Sequence, residues 1–194
     1  MGASVRRHPR QTRRLLAVAA CLGALAVVAG GCGRTSVSAD GLAGVGVTEY
    51  PKEERVPLPP ISGQTLNGSQ VRLDSMRGSV VVLNSWASWC GPCVDEIPEL
   101  VSADARGLST DVVFIGLNVN DDQPKARAFA EKMGMNYESI MDPDATLLGA
   151  LPGVPPGALP STLILDRDGL VAVRVVGPIP PGSLAGMLLR VTGE

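Results

Sequence analysis

The sequence predicts one α/β domain whose mixed central sheet is covered by helices on both faces, and three observations carry that reading. Short β-branched apolar runs, Val80-Val81-Val82-Leu83 and Val112 to Val119, alternate with segments of helix formers. This is the pattern of strands buried on both sides by flanking helices. Two later strand-like runs, Thr162 to Asp166 and Val171 to Val176, are separated only by the turn-forming Arg167-Asp168-Gly169, which makes an antiparallel hairpin. The resulting order is strand, helix, strand, helix, short strand and helix, hairpin, helix, which mixes parallel and antiparallel neighbours in one layered domain.

In chain order, Gly78 leads into the first strand, which feeds the segment Trp86 to Cys93. Val94-Asp95-Glu96-Ile97-Pro98-Glu99-Leu100 follows as a helix, since acids in a first turn meet the positive end of the helix dipole. Pro98 removes one backbone donor and is expected to kink that helix. Pro124 opens and Gly134 closes a helix over Pro124 to Met133. Tyr137 to Met141 reads as a short strand, Asp142-Pro143-Asp144 as the cap of a short helix ending near Gly149, and Ser183 to Val191 as a closing amphipathic helix. Asp166-Arg167-Asp168-Gly169 lacks the alternating acids and terminal Glu of a calcium loop. Asn120-Asp121-Asp122 reads as a solvated loop.

The N-terminal residues read differently. Arg6, Arg7, Arg10, Arg13 and Arg14 precede an uncharged run from Leu15 to Ala29, the layout of an export signal and short for a membrane span, which needs about 20 apolar residues. A transmembrane anchor is the alternative. Ala29-Gly30-Gly31-Cys32 places small residues before a cysteine and resembles a bacterial lipoprotein processing site, with Cys32 as the lipidated residue. Val18-Ala19-Ala20-Cys21 fits the pattern but leaves only a short apolar region, and Thr12-Arg13-Arg14-Leu15-Leu16 loosely resembles a twin-arginine signal. The expected organisation is therefore an export signal over 1–32, a Gly-, Ser- and Pro-rich tether over 33–56, and a domain over 57–194. Without the five signal arginines, 12 basic residues face 19 acidic ones, a net charge near −7. That surface disfavours nucleic acid as a partner.

Of the four cysteines, Cys21 and Cys32 lie in or at the edge of the signal, so the mature domain holds one close pair, Cys90 and Cys93. The single histidine, His8, is also in the signal. A tetrahedral zinc site wants four such ligands; neither metal nor cofactor is expected, and the pair is left for redox chemistry. Three-residue spacing at a helix start brings the sulfurs within bonding distance, Cys90 exposed and Cys93 tucked beneath the turn. Unpaired amides and the helix dipole favour a thiolate there, which makes Cys90 the nucleophile and Cys93 the resolving thiol. Glu96 lies one turn beyond Cys93, on the same helix face. A partly buried carboxyl there could accept the Cys93 proton, the alternative being an exposed first-turn acid. Asn84 does not titrate and is no substitute.

The stretch Leu83-Asn84-Ser85-Trp86-Ala87-Ser88-Trp89-Cys90-Gly91-Pro92-Cys93, with Glu96, Pro98 and later Leu159-Pro160-Ser161-Thr162 through Asp166 to Gly169, resembles the TlpA/ResA family of extracytoplasmic thioredoxin-like proteins from about Pro57 onward. The resemblance implies a thioredoxin fold, a catalytic role for Glu96 and a cis bond at Pro160. In that geometry Trp89, Leu159 and Pro160 contact an extended substrate beside Cys90. Pro152, Pro155 and Pro156 are rivals for the cis position on residue type alone. The resemblance further implies a lipid-anchored protein outside the cytoplasm, taking electrons from a membrane redox donor and reducing exported proteins with cysteine pairs, apocytochrome c among them. An oxidase that introduces disulfides into exported proteins is the competing reading. A thiol peroxidase fits less well, because Leu83 and Ala87 stand where the peroxidatic Pro-x-x-x-Thr-x-x-Cys pattern has Pro and Thr.

Overall fold

The computed structural model describes residues 46–106 and 111–194. Its strands are β1 (Gly46–Glu49), β2 (Ser62–Gln64), β3 (Gln70–Arg72), β4 (Val80–Trp86), β5 (Val112–Val119), β6 (Ser139–Asp142), β7 (Ser161–Leu165) and β8 (Val171–Val176). The helices are α1 (Gly91–Ala105), α2 (Gln123–Met133), α3 (Thr146–Ala150) and α4 (Leu184–Thr192). Six strands form one sheet in the order β1-β8-β7-β4-β5-β6, and β2 with β3 makes a separate hairpin. Strands β4, β5 and β6 run parallel, while β7 joins β4 antiparallel and β8 and β1 extend that side. The mixed α/β sheet of the thioredoxin fold is thus present.

Strand β4 is buried along its whole length, as a central strand covered on both faces must be. Successive side chains alternate between faces. Val81 and Leu83 join Ile115, Leu117 and Leu163 on one side, beneath Leu148 and Leu151. Val80 and Val82 join Phe114 and Ile164 on the other, against Leu100 of α1 and Leu184, Met187 and Leu188 of α4. Helix α1 contains Pro98 and continues to Ala105. Helix α2 ends where expected, at Gly134 in the left-handed region (φ 69), a conformation glycine adopts without a Cβ penalty. Asp142 caps α3, its carboxylate accepting from Leu147 N at 3.0 Å and Leu148 N at 2.8 Å.

The segment expected as a tether, 33–56, is folded from Gly46 onward, which corrects the domain start at residue 57; residues 33–45 lie outside the described residues. Strand β1 pairs antiparallel with β8 along Gly46↔Val176 to Glu49↔Val173, and Tyr50 N continues the contact to Ala172 O at 2.8 Å. Arg55 then closes onto the C-terminal end, with Nη1 3.0 Å from Asp166 Oδ2 and 2.6 Å from Glu194 Oε2. Four residues with one alternation are too few to show a period, and β1 gains its hydrogen bonds from an edge contributed 124 to 130 residues downstream. The β2–β3 hairpin was equally illegible, its three-residue strands being mostly exposed.

Where β4 and β5 pair, Gly116 lies opposite Asn84. A Cβ there would sit 2.7 Å from Trp86 Nε1 and closer still to Ser139 Oγ, the two atoms that hydrogen-bond each other at 3.2 Å. Gly116→Ala is expected to destabilise the oxidised protein by about 1–3 kcal/mol, measured as a shift in the urea midpoint with an unchanged slope; wild-type stability would contradict this packing.

Candidate active site

Strand β4 delivers the chain to the site. After Trp86, Ala87 O accepts from Cys90 N at 3.1 Å, a tight turn that sets Cys90 as the N-cap of α1. Cys90 and Cys93 are joined by a disulfide, with S–S 2.00 Å and Cα–Cα 5.4 Å. Cys93 is fully buried and Cys90 is 4 % exposed. The expected order of the two thiols holds, but Cys90 is more covered than the sequence suggested, and the exposed residue at the site is Trp89, at 60 %. Both cysteines pack in an apolar cluster with Trp86, Ala87 and Ile97, against which half-buried Leu159 rests. The Leu159–Pro160 bond is cis, and among the described residues Pro152, Pro155 and Pro156 are trans. The strand after Pro160 is tied to β4 by Ser85, whose Oγ donates to Ser161 O and accepts from Ser161 N, both at 3.0 Å.

Glu96 is buried, not an exposed first-turn acid. Its Oε1 accepts from Asn84 Nδ2 at 2.7 Å and its Oε2 from Ile179 N at 2.9 Å. Burial disfavours the charged form and pushes the carboxyl up to about 7, against the opposing pull of those two hydrogen bonds, with the nearby Glu99 charge adding to the rise. Asn84 carries an amide that cannot titrate, but it orients the group that can. Its Nδ2 also donates to Thr162 Oγ1 at 3.0 Å, while its Oδ1 is buried without a hydrogen-bond partner among the described residues. The Ile179 amide has no side-chain signature and could not have been found in the sequence. A further surprise is Asp121, which hydrogen-bonds Ser88 rather than facing solvent. Cys32, Cys21 and His8 lie outside the described residues. Among the described residues, no helix is long and apolar enough to cross a membrane.

A bonded Cys-x-x-Cys pair at a helix start, fed by the central strand of this sheet, defines a thioredoxin-fold thiol–disulfide oxidoreductase. The chain belongs to the AhpC/TSA family, matched over residues 55–174, and its relatives named ResA and HelX are consistent with the TlpA/ResA resemblance. It is 28% identical over 127 residues to the thiol-disulfide oxidoreductase ResA of Bacillus anthracis, covering 66% of this chain and 72% of the relative. It is 32% identical over 112 residues to the thiol:disulfide interchange protein HelX of Rhodobacter capsulatus, covering 55% of this chain and 57% of HelX. Among solved structures, a DsbF homologue from Corynebacterium diphtheriae superposes with TM-score 0.69 at 30% identity, over 80% of this chain and 95% of the other. A secreted thiol-disulfide isomerase from Corynebacterium glutamicum superposes with TM-score 0.70 at 28% identity, over 81% and 96%.

The Glu96 environment sets a pH dependence of stability. The folded carboxyl titrates near 7, above its ordinary value of 4.5, so the native state binds the proton more tightly than the unfolded chain. The stabilisation is complete below pH 4.5 and is lost as pH rises through 7. Glu96→Gln removes this loss. Relative to wild type, the variant is expected to gain about 3 kcal/mol between pH 4.5 and pH 8, read from urea unfolding of the oxidised proteins at the two values. An equal gap at both would contradict the assigned burial.

Proposed function

We propose that this protein is an exported thiol–disulfide reductase, anchored through a lipid on Cys32 to the outer face of the cell membrane, that keeps cysteine pairs of exported proteins reduced. Apocytochrome c is the substrate class that the TlpA/ResA resemblance implies. The observation that carries the chemistry is the buried Glu96 carboxyl, with an affinity for protons matched to neutral pH, one turn of α1 beyond the resolving thiol.

The exchange runs in two steps. Cys90 thiolate attacks one sulfur of the substrate disulfide, forming a mixed disulfide and expelling the first substrate thiolate. Cys93 then passes its proton to the Glu96 carboxylate and attacks the Cys90 sulfur. The Cys90–Cys93 bond forms, the second substrate thiolate leaves, and two electrons have moved from the protein to its client. A membrane dithiol donor restores the pair by the same exchange in reverse. Leu159 packs against the cluster that holds both cysteines; together with Trp89, next to Cys90 in the chain, and Pro160 it takes the role of substrate contact, and Glu96 that of proton acceptor.

The oxidase direction is the second reading: thiol–disulfide exchange runs either way according to the potential of the couple, and a secreted thiol-disulfide isomerase is among the structures similar to this chain. The Gly91-Pro92 dipeptide favours the reductase, since thioredoxin carries the same pair. The Cys90–Cys93 couple is expected near thioredoxin's value of about −270 mV when equilibrated with glutathione or dithiothreitol, and a potential near about −120 mV would make it an oxidase.

Glu96→Gln is expected to leave Cys90 attack intact and slow resolution of a mixed disulfide by about 10²-fold. In wild type, resolution slows as pH falls below 7 and Glu96 takes up its proton. Rapid-quench trapping of the mixed disulfide checks both, and an unchanged lifetime would remove Glu96 from the proton path.

A further inference from the structure

The loop between β5 and α2 takes no part in the exchange steps above, yet it grips the two residues that lead into Cys90. Asp121 Oδ2 accepts from Ser88 N at 2.5 Å and from Asn118 Nδ2 at 3.0 Å. Asp121 Oδ1 accepts from Ser88 Oγ and from Asp122 N, both at 2.8 Å. Four donors on one carboxylate fill its hydrogen-bonding capacity. Burial alone would raise this carboxyl, but the bonds from Ser88, Asn118 and Asp122 outweigh it and hold the group below the usual carboxylate range. One residue earlier, Asn120 O accepts from Trp89 Nε1 at 2.9 Å.

The loop making these contacts is itself fixed. Asn120 occupies the left-handed region (φ 47), which Asn tolerates better than most residues, and its N–H is held by Asp142 O at 2.9 Å. Asp122 Oδ1 caps α2 through Lys125 N at 3.2 Å. The consequence falls on Trp89. The residue is 60 % exposed, but its indole N–H and the backbone leading into it are pinned. An exposed indole free to change rotamer would lose that freedom on binding, whereas a fixed one has already done so. Tryptophan offers a large contact area with only two torsions to hold, which makes a pinned ring an effective apolar platform.

We propose that Asp121, with the Asn120 carbonyl, clamps Trp89 as a rigid aromatic platform beside Cys90. Asp121 is thereby a positioning residue that sets affinity for polypeptide disulfides whose cysteines have apolar or aromatic neighbours. Asp121 touches neither sulfur nor client; it acts through Ser88 and Trp89. The clamp rests on exchange at Cys90 and is independent of whether the protein works as reductase or oxidase.

The test compares two disulfides, with dithiothreitol keeping the protein reduced. One is a disulfide-bonded peptide with Leu or Phe flanking each cysteine, and the other is hydroxyethyl disulfide, too small to span the ring. Asp121→Ala is expected to raise KM for the peptide about tenfold with a much smaller change in kcat, and to lower the peptide-to-small-disulfide ratio of kcat/KM about fivefold or more. Ser88→Ala, which removes only the hydroxyl bond, gives a smaller fall in the same direction. Asp121→Asn, which keeps an oxygen for Ser88 N and Asn118 Nδ2, recovers at least about half of the ratio. Acrylamide quenching supplies a signature that lowered stability alone would not produce. Trp86 is fully buried, so the quenchable emission reports on Trp89, and it is expected to rise in Asp121→Ala while the far-UV circular dichroism stays native. An unchanged ratio with unchanged quenching overturns the clamp, as does an Asp121→Asn variant that falls as far as Asp121→Ala. A wild-type protein inert toward both disulfides would instead overturn the exchange on which the clamp rests.

Discussion

Seven consecutive buried residues, Val80 to Trp86, run through the middle of the sheet, and the position of every reactive group follows from where that strand ends. Its apolar side chains face both cores, so a one-residue slip would exchange the two faces and is strongly disfavoured. Parallel pairing with β5 and antiparallel pairing with β7 then fix what lies beside its last residues. The Asn118 to Asp122 loop comes from one neighbour and the Pro160-Ser161 entry from the other. The cysteine pair is held in place at the junction of three elements distant in sequence.

The same strand carries polar groups into the core near its end. Asn84, Ser85 and Trp86 are all buried, and each is matched by a partner from across the sheet or from α1: Asn84 by Glu96 and Thr162, Ser85 by Ser161, Trp86 by Ser139. Buried polar groups are tolerated when hydrogen-bonded. Glu96 is held by two donors without a cationic partner among its contacts, which is how a carboxylate remains inside the fold and yet exchanges a proton near neutral pH. The stability lost on ionising it and its readiness to accept a proton have one origin, the burial of this carboxyl in α1's second turn.

Legibility of the chain in its sequence tracked how local the cause was. Val112 to Val119 and Val171 to Val176 were placed to the residue, because β-branched runs bounded by turn residues encode their own conformation. Gly134 and the acid before α3 marked helix ends for the same reason. Strand β1 is not legible in the sequence, since its four residues have no period of their own and owe their state to the β8 edge. The Asn120-Asp121-Asp122 loop looked solvated because its composition is that of any exposed turn, and nothing local states that Ser88, over thirty residues earlier, donates into it.

By itself the sequence determined the reactive pair. Cys90 and Cys93 are three apart at a helix start, and that spacing is local geometry which holds whatever the rest of the chain does. It likewise determined the strand and helix that carry the pair, through apolar periodicity. Tertiary structure decided the environment of those groups: that Glu96 is buried and titrates near 7, that Asn84 and the Ile179 amide hold it, that Asp121 holds Ser88. Burial and hydrogen bonding between distant segments depend on which strands become neighbours. Proton affinity and side-chain order follow from the local dielectric and from the donors within reach, which only the assembled sheet sets.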